Sequence, residues 1–226
     1  MDLLTMFHKG GILMYGILIL SFAAGYIVIE RYFTLRRSRP ASGRFEMSLR
    51  MMLGKKDLDH AKEFAIQDRS PSGRIVLAAL EKVHHNPGRV REAIEDQGRE
   101  EIAQLEKHLG ILASVAGIAP MLGFLGTVTG MITTFQAVAA TGGQASPVEL
   151  ADGIWEALIT TAFGLFVGIF AYGAYNWLVA RTQEIAMQME RIGREILDVI
   201  EEELHVAVNP QSGDIKIRTK QTEGVK

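Results

Sequence analysis

The sequence has no cysteine among its 226 residues. This absence excludes a disulfide framework, a zinc ribbon, an iron–sulfur cluster and a thiol nucleophile. The chain also has no P-loop, no H-E-x-x-H motif and no nucleophile elbow, and its histidines are not spaced as metal ligands. We therefore expect no catalytic residues, no metal site, no cofactor and no covalent chemistry.

An excess of charge of one sign is lacking as well. The chain has 24 basic and 26 acidic residues, a formal net charge of −2 and no dense block of lysine and arginine. A nucleic-acid-binding protein needs a basic surface to neutralise phosphates. Nucleic acid is therefore not expected as a partner.

What the chain has instead is three long stretches without any charged residue, at 10–29, 108–148 and 157–180. The mean hydropathy of only +0.13 hides them. A bilayer core about 30 Å thick is crossed by roughly 20 apolar helical residues, and all three stretches are long enough. A soluble globular domain is excluded, and the sequence predicts an integral membrane protein in contact with lipid.

The first stretch predicts a transmembrane helix at 10–30. It is longer than the apolar part of a secretory signal, which covers about 7–15 residues. Lys9 is the sole lysine or arginine before it, whereas Arg31, Arg36 and Arg37 follow Glu30 before the next acidic residue. Because positive flanks stay in the cytoplasm, the short N-terminus 1–9 is expected in the periplasm.

The second and third stretches predict transmembrane helices at 109–140 and 154–180, joined by a hairpin at 141–153. Gly142-Gly143 and Ser146-Pro147 in the hairpin are helix breakers. The hairpin carries Glu149 and Asp152 but no lysine or arginine, which places it in the periplasm. The C-terminus is then cytoplasmic.

The cytoplasmic part is predicted to be a helical domain at 31–108, a helix at 181–205 and a flexible tail at 206–226. Two apolar stripes at helical spacing extend spans two and three below the membrane; they are Val90, Ile94, Ile102, Leu105 and Leu109, and Ile185, Met189, Ile192, Ile196, Val199 and Ile200. The fold class is all-α, with spans two and three continued as long cytoplasmic helices. The stripes either need a partner or pack against each other within one chain.

Small and polar residues inside the spans suggest two roles. Gly126 and Gly130 in span two, and Gly164 and Gly168 in span three, form G-x-x-x-G pairs that permit close helix packing. Threonines occur in both spans, and each hydroxyl either bonds a carbonyl of its own helix or lines a path for water or ions. Glu156 at the outer edge of span three is either a functional intramembrane acid or simply hydrated.

Two sequence blocks carry a resemblance. GIAPMLGFLGTVTGMITTF at 117–135 and ADGIWEALITTAFGLFVG at 151–168 closely resemble the ExbB/TolQ/MotA proton-channel family, and within it the ExbB and TolQ branches. The resemblance implies a ring, a homopentamer around a pore that holds two copies of a single-span ExbD- or TolR-like subunit. Such a complex sits in the bacterial inner membrane and uses proton-motive force to act on a TonB- or TolA-like protein.

The same resemblance assigns residues. It implies that Thr127, Thr161 and Glu156 line the proton pathway, and that Pro120 bends span two. Two positions depart from the family pattern: Thr129 stands where tryptophan is usual, and Phe170 where proline is common. Both lie near the implied pore, so its local bend and lining are expected to differ.

Several functions remain open on the sequence. The first is an ExbB-like motor subunit that energises TonB-dependent outer-membrane transport. A TolQ-like subunit of the Tol-Pal envelope system fits the same residues. A flagellar stator of the MotA type normally has four spans and fits less well. From a different class, a non-transducing membrane scaffold would use the long helices to recruit proteins.

Overall fold

The computed structural model describes residues 10–38, 43–55, 57–68, 70–84, 86–142 and 146–207, with residues 46, 149 and 202–207 described by their backbone alone. All regular structure in these ranges is helical; the helices are α1 (Gly11–Arg37), α2 (Gly43–Gly54), α3 (Leu58–Asp68), α4 (Pro71–Glu81), α5 (Pro87–Glu106), α6 (Leu109–Ala140) and α7 (Pro147–Ala207). The predicted N-terminal segment 1–9, part of the hairpin, His85 and tail residues 208–226 lie outside the described residues.

Three parts of the chain are long and apolar enough to cross a membrane: α1, the stretch ending with α6, and most of α7. The all-α class and the number of spans are confirmed. Helix α7 begins at Pro147, seven residues before the predicted membrane entry at 154. Proline is favoured in the first turn of a helix because its missing N–H has no partner there, so the Ser-Pro pair starts this helix.

The chain divides into two compact units. The membrane unit holds residues 10–37 and 105–182, and the helical unit holds 38–104 and 183–207. Helices α5 and α7 contribute residues to both.

In the membrane unit, α1 packs against α6 through one face. The apolar residues on that face are buried at helical spacing; they are Met14, Ile17, Ala24, Ile27 and Leu35. The opposite face is exposed and apolar, with Ile12, Ile19, Phe22, Ile29 and Phe33. A helix with this distribution is suited to contact protein on one side and lipid tails on the other.

The helical unit has an apolar core built by five helices. Its fully buried members include Leu49 of α2, Ala61 of α3, Val76 of α4, Val90 of α5 and Ile196 of α7. The predicted stripe of α7 is therefore packed within its own chain, as one of the two sequence interpretations allows. Helix α4 starts at Pro71 because the Ser70 hydroxyl accepts a hydrogen bond from the Gly73 amide and Pro71 occupies the first turn.

The extension of span two consists of two helices rather than one. Helix α5 ends at Glu106 and α6 starts at Leu109, with His108 between them at φ 65°. This left-handed conformation is uncommon for a residue with a side chain, and no breaker residue at 107 or 108 announces it.

Candidate functional site

Helices α6 and α7 contact each other through positions with little or no side chain. A Cβ atom on Gly164 would lie 2.5 Å from the Ala119 carbonyl oxygen, and one on Gly123 would lie 2.9 Å from the Thr160 carbonyl oxygen. Both distances are too short for a real Cβ atom. The two backbones are thus in direct contact, as small residues permit in membrane helices.

The other predicted packing glycines lie in the same contact. Gly126 faces Thr160, and Gly168 faces the Pro120 ring. A Cβ atom on Gly130 would lie 3.0 Å from the Cβ atom of Ala157. These pairs run in opposite directions along the two helices, which makes α6 and α7 antiparallel neighbours. Helix α6 continues through Pro120, whose ring fills the space beside Gly168; the bend at Pro120 stays a prediction.

Most threonine hydroxyls of the two spans bond their own helix. Thr127 donates to the Phe124 carbonyl at 2.6 Å, and Thr134 donates to the Gly130 carbonyl at 2.8 Å. Thr160 is buried and donates to the Ala157 carbonyl at 2.8 Å. For these three residues the local hydrogen bond is the one the structure shows.

Thr161 differs from them. Its hydroxyl crosses the contact and donates to the Gly123 carbonyl of α6 at 2.7 Å. That carbonyl is reachable because residue 123 has no side chain to cover it. Thr161 therefore joins the two predicted motif blocks directly.

The three predicted pathway residues do not form one cluster within a single chain. Thr161 lies at the α6–α7 contact, and Thr127 is half-buried further along α6. The Glu156 side chain is exposed, and its carboxylate lies against Gly11 at the start of α1. No hydrogen bond among those described links any two of the three.

A polar cluster that the sequence interpretation missed lies where α5 ends and α6 begins. Arg31 is only 4% exposed and pairs with the neighbouring Glu30, while its guanidinium also reaches the Leu105 carbonyl at 3.5 Å. His108 Nδ1 lies 3.4 Å from the same Glu30 carboxylate. In the sequence, Arg31 belongs to a positively charged flank. Its contact with Leu105 and the contact of Glu30 with His108 join residues more than 70 positions apart, and no sequence pattern indicates them.

A second missed cluster lies in the helical unit. The Glu101 carboxylate is 2% exposed and is bound by the Arg74 guanidinium, with Arg74 Nη2 at 2.5 Å, and by Gln97 Nε2 at 2.9 Å. The hydrogen bond from Arg74 to this carboxylate raises the pKa of Arg74 further above its usual range. The cluster ties α4 to α5.

Within the ranges that the structure describes, no three histidine, aspartate or glutamate side chains stand close enough together to hold a metal ion. The arrangement that joins the two motif blocks is the α6–α7 contact, with the cross-helix hydroxyl of Thr161.

Comparison with known proteins matches residues 67–191 to the sequence signature of the MotA/TolQ/ExbB proton channel family. The putative biopolymer transport protein ExbB-like 1 of Synechocystis is 32% identical over 86% of this chain and 77% of its own length. The biopolymer transport protein ExbB of Neisseria meningitidis is 28% identical over 87% of this chain and 96% of its own. The Tol-Pal system protein TolQ of Haemophilus influenzae is 45% identical over a shorter region, 38% of this chain and 37% of the relative.

Proposed function

The chain belongs to the MotA/TolQ/ExbB proton channel family, and we propose that it is the ExbB-like subunit of a proton-driven motor in the bacterial inner membrane. The motor would couple proton-motive force to a periplasm-spanning partner that energises TonB-dependent outer-membrane transport. The observation that carries this proposal is the similarity to a protein named ExbB over 96% of that relative's length.

The proposed assembly is a homopentamer whose pore holds two copies of a single-span ExbD- or TolR-like subunit. The N-terminus lies in the periplasm and the C-terminus in the cytoplasm. Native mass spectrometry of the detergent-purified protein, expressed alone and then together with its neighbouring single-span gene product, tests the stoichiometry. Five copies support the ring, and a monomer or dimer in both preparations counts against it.

Within that assembly, Thr127, Thr161 and Glu156 are the proposed pathway residues. A threonine hydroxyl both donates and accepts hydrogen bonds, so a ring of them can hydrate a partner's carboxylate or relay a proton to it. Of the two threonines, Thr161 is the one whose hydroxyl bonds outside its own helix.

The test of the pathway is the double variant Thr127→Val with Thr161→Val, which keeps side-chain shape and removes both hydroxyls. We expect loss of energy transduction while the purified complex keeps its wild-type mass. A matched control is Thr133→Val, an α6 residue whose exposed hydroxyl bonds its own helix. Full activity in the Thr127 and Thr161 double variant would remove both residues from the pathway.

The TolQ-like role is the second candidate, and the 45% identity to a Tol-Pal protein over 38% of this chain favours it. The two roles differ in the partner. Co-purification with either an ExbD-like or a TolR-like single-span protein encoded nearby decides between them. Activity that survives collapse of the proton gradient would instead point to a scaffold.

A further inference from the structure

We infer that Gly11, at the start of α1, is a positioning residue for the Glu156 carboxylate. The inference deepens the proposed function and rests on it in one respect, the assignment of Glu156 to the proton pathway. The contact itself joins α1 to α7 inside the membrane unit and can be tested without any assumption about protons.

At Gly11 a side chain would meet the Glu156 carboxylate and would have to displace it. A Cβ atom on Gly11 would lie 2.5 Å from Glu156 Oε1 and 3.7 Å from the carboxyl carbon of Glu156. The carboxylate therefore rests directly on the α1 main chain. The Glu156 side chain is otherwise exposed.

The backbone at Gly11 favours glycine for a second reason. Its φ is +64°, in the left-handed region that residues with a Cβ atom rarely adopt. Gly142 has nearly the same φ, +63°, but nothing within 4 Å of its Cβ position. Gly25, further along α1, also has an open Cβ position and no positive φ. The chain thus supplies controls that separate backbone strain from the contact with Glu156.

One side of the Glu156 carboxylate contacts the α1 main chain at Gly11, and its other side is exposed. Along this stretch, the neighbouring part of α6 carries no charged residue. Among the described residues, the main chain at Gly11 is the contact that the structure shows for the Glu156 carboxylate. Any side chain at position 11 displaces it.

The functional test measures proton flux in liposomes that contain the purified complex. We expect Gly11→Ala to lower the flux roughly tenfold, since small displacements of a reacting group cost this much or more. Gly142→Ala and Gly25→Ala are expected to stay near the wild type. In a Glu156→Asp background, whose side chain is one methylene shorter, Gly11→Ala should cost less than about twofold, because the two residues interact. An equal loss in both backgrounds would overturn the inference.

The geometric test uses the absence of native cysteine. Gly11→Cys with Glu156→Cys removes the carboxylate that would clash and creates the sole pair of thiols in the chain. A short bis-thiol-reactive reagent should bridge this pair within one chain, as seen by peptide mass spectrometry. The control pair, Gly25→Cys with Glu156→Cys, lies about 21 Å further along α1 at 1.5 Å per residue and should remain unbridged. Equal bridging of both pairs, or of neither, would overturn the contact.

The two tests distinguish the two ways of failing. Absence of proton flux in the wild-type complex would overturn the proposed function, and the bridging experiment would still decide whether Gly11 holds residue 156. Bridging with normal flux in Gly11→Ala would show a contact with no positioning role. Bridging together with the background-dependent loss of flux supports the whole inference.

Discussion

At the scale of single residues, the hydroxyls of Thr161 and Thr127 differ in whether their hydrogen bond joins two helices. The Thr161 hydroxyl bonds the Gly123 carbonyl across two helices, and the Thr127 hydroxyl bonds a carbonyl of its own helix. Interhelical hydrogen bonds in membranes contribute about 0.6 kcal/mol on average and up to about 1.7. We therefore expect Thr161→Val to destabilise the protein by roughly 1 kcal/mol, and Thr127→Val by less.

Equilibrium unfolding in mixed micelles measures this difference, with the fluorescence of Trp155 and Trp177 as the probe. Both tryptophans lie on α7 in the membrane unit. Equal destabilisation by the two valine substitutions would show that the cross-helix bond adds nothing. The prediction concerns stability and is independent of any role in proton transfer.

His60 and Asp57 supply a residue-scale prediction about pH. Asp57 Oδ1 lies 2.8 Å from His60 Nδ1, and this hydrogen bond raises the pKa of His60 above its ordinary 6.5 and lowers the pKa of Asp57 below its ordinary 3.8. The stabilisation from the pair is present below pH 6.5 and is lost as pH rises through the raised pKa of His60. On the acid side it is lost as pH falls through the lowered pKa of Asp57.

An NMR titration of the histidine ring protons checks the first half of that statement. Asp57→Asn should return the pKa of His60 towards 6.5, because the charged partner is gone. High salt should act in the same direction, since both side chains are exposed and screening weakens exposed pairs. A pKa of His60 unchanged by Asp57→Asn would contradict the assignment of its cause.

At the scale of elements, the α6–α7 contact predicts a sharp contrast between two glycines of the same helix. A Cβ atom on Gly164 would meet the backbone of α6, whereas one on Gly173 would meet nothing within 4 Å. Gly164→Ala must push the helices apart, which costs typically 1–3 kcal/mol in a well-packed contact. Gly173→Ala should be neutral or stabilising by up to about 1 kcal/mol, since alanine favours the helix.

Thermal unfolding of both variants in the same detergent makes the comparison. Each substitution adds one methyl group to the same helix. The difference in stability between Gly173→Ala and the wild type therefore measures the effect of helix propensity, and any further loss in Gly164→Ala measures the effect of the contact. If Gly164→Ala were as stable as Gly173→Ala, the two backbones could not be in direct contact at this position.

The elements also show what the sequence can predict. Charge-free length identified the three spans, because a bilayer imposes a length and excludes charge. The glycines of the G-x-x-x-G pairs lie in the α6–α7 contact, and the apolar period of α7 coincides with its buried stripe. These features depend on neighbouring or regularly spaced residues, so they can be recognised in one amino-acid sequence.

Features that depend on distant residues were missed. Arg31 is buried because Glu30 and the end of α5 surround it, and Glu101 is buried because Arg74, 27 positions away, binds it. The interruption at His108 has no breaker residue to announce it. For Glu156 the sequence left a hydrated and a functional reading open, and its contact with Gly11 depends on how α1 lies beside α7.

At the scale of the whole molecule, the proposed orientation is the main expectation to check. Val148 at the start of α7 is expected outside and Met187 inside, and both side chains are exposed. In the cysteine-free chain, Val148→Cys should react with a membrane-impermeant maleimide added to intact spheroplasts, and Met187→Cys should not. In inverted membrane vesicles the pattern should reverse. Labelling of both sites from one side would contradict the orientation.

The direct backbone contact between α6 and α7 also determines how the protein responds to temperature. Separating these helices within a bilayer exposes them to lipid tails rather than to water, and the large heat capacity of unfolding arises from hydrating apolar surface. The helix pair therefore contributes little heat capacity, and its stability changes almost linearly with temperature. The core of the helical unit opens into water and has the usual curved dependence, weakening on cooling as well as on heating. In the cold, the glycine-lined pair is the part of this chain that keeps its stability.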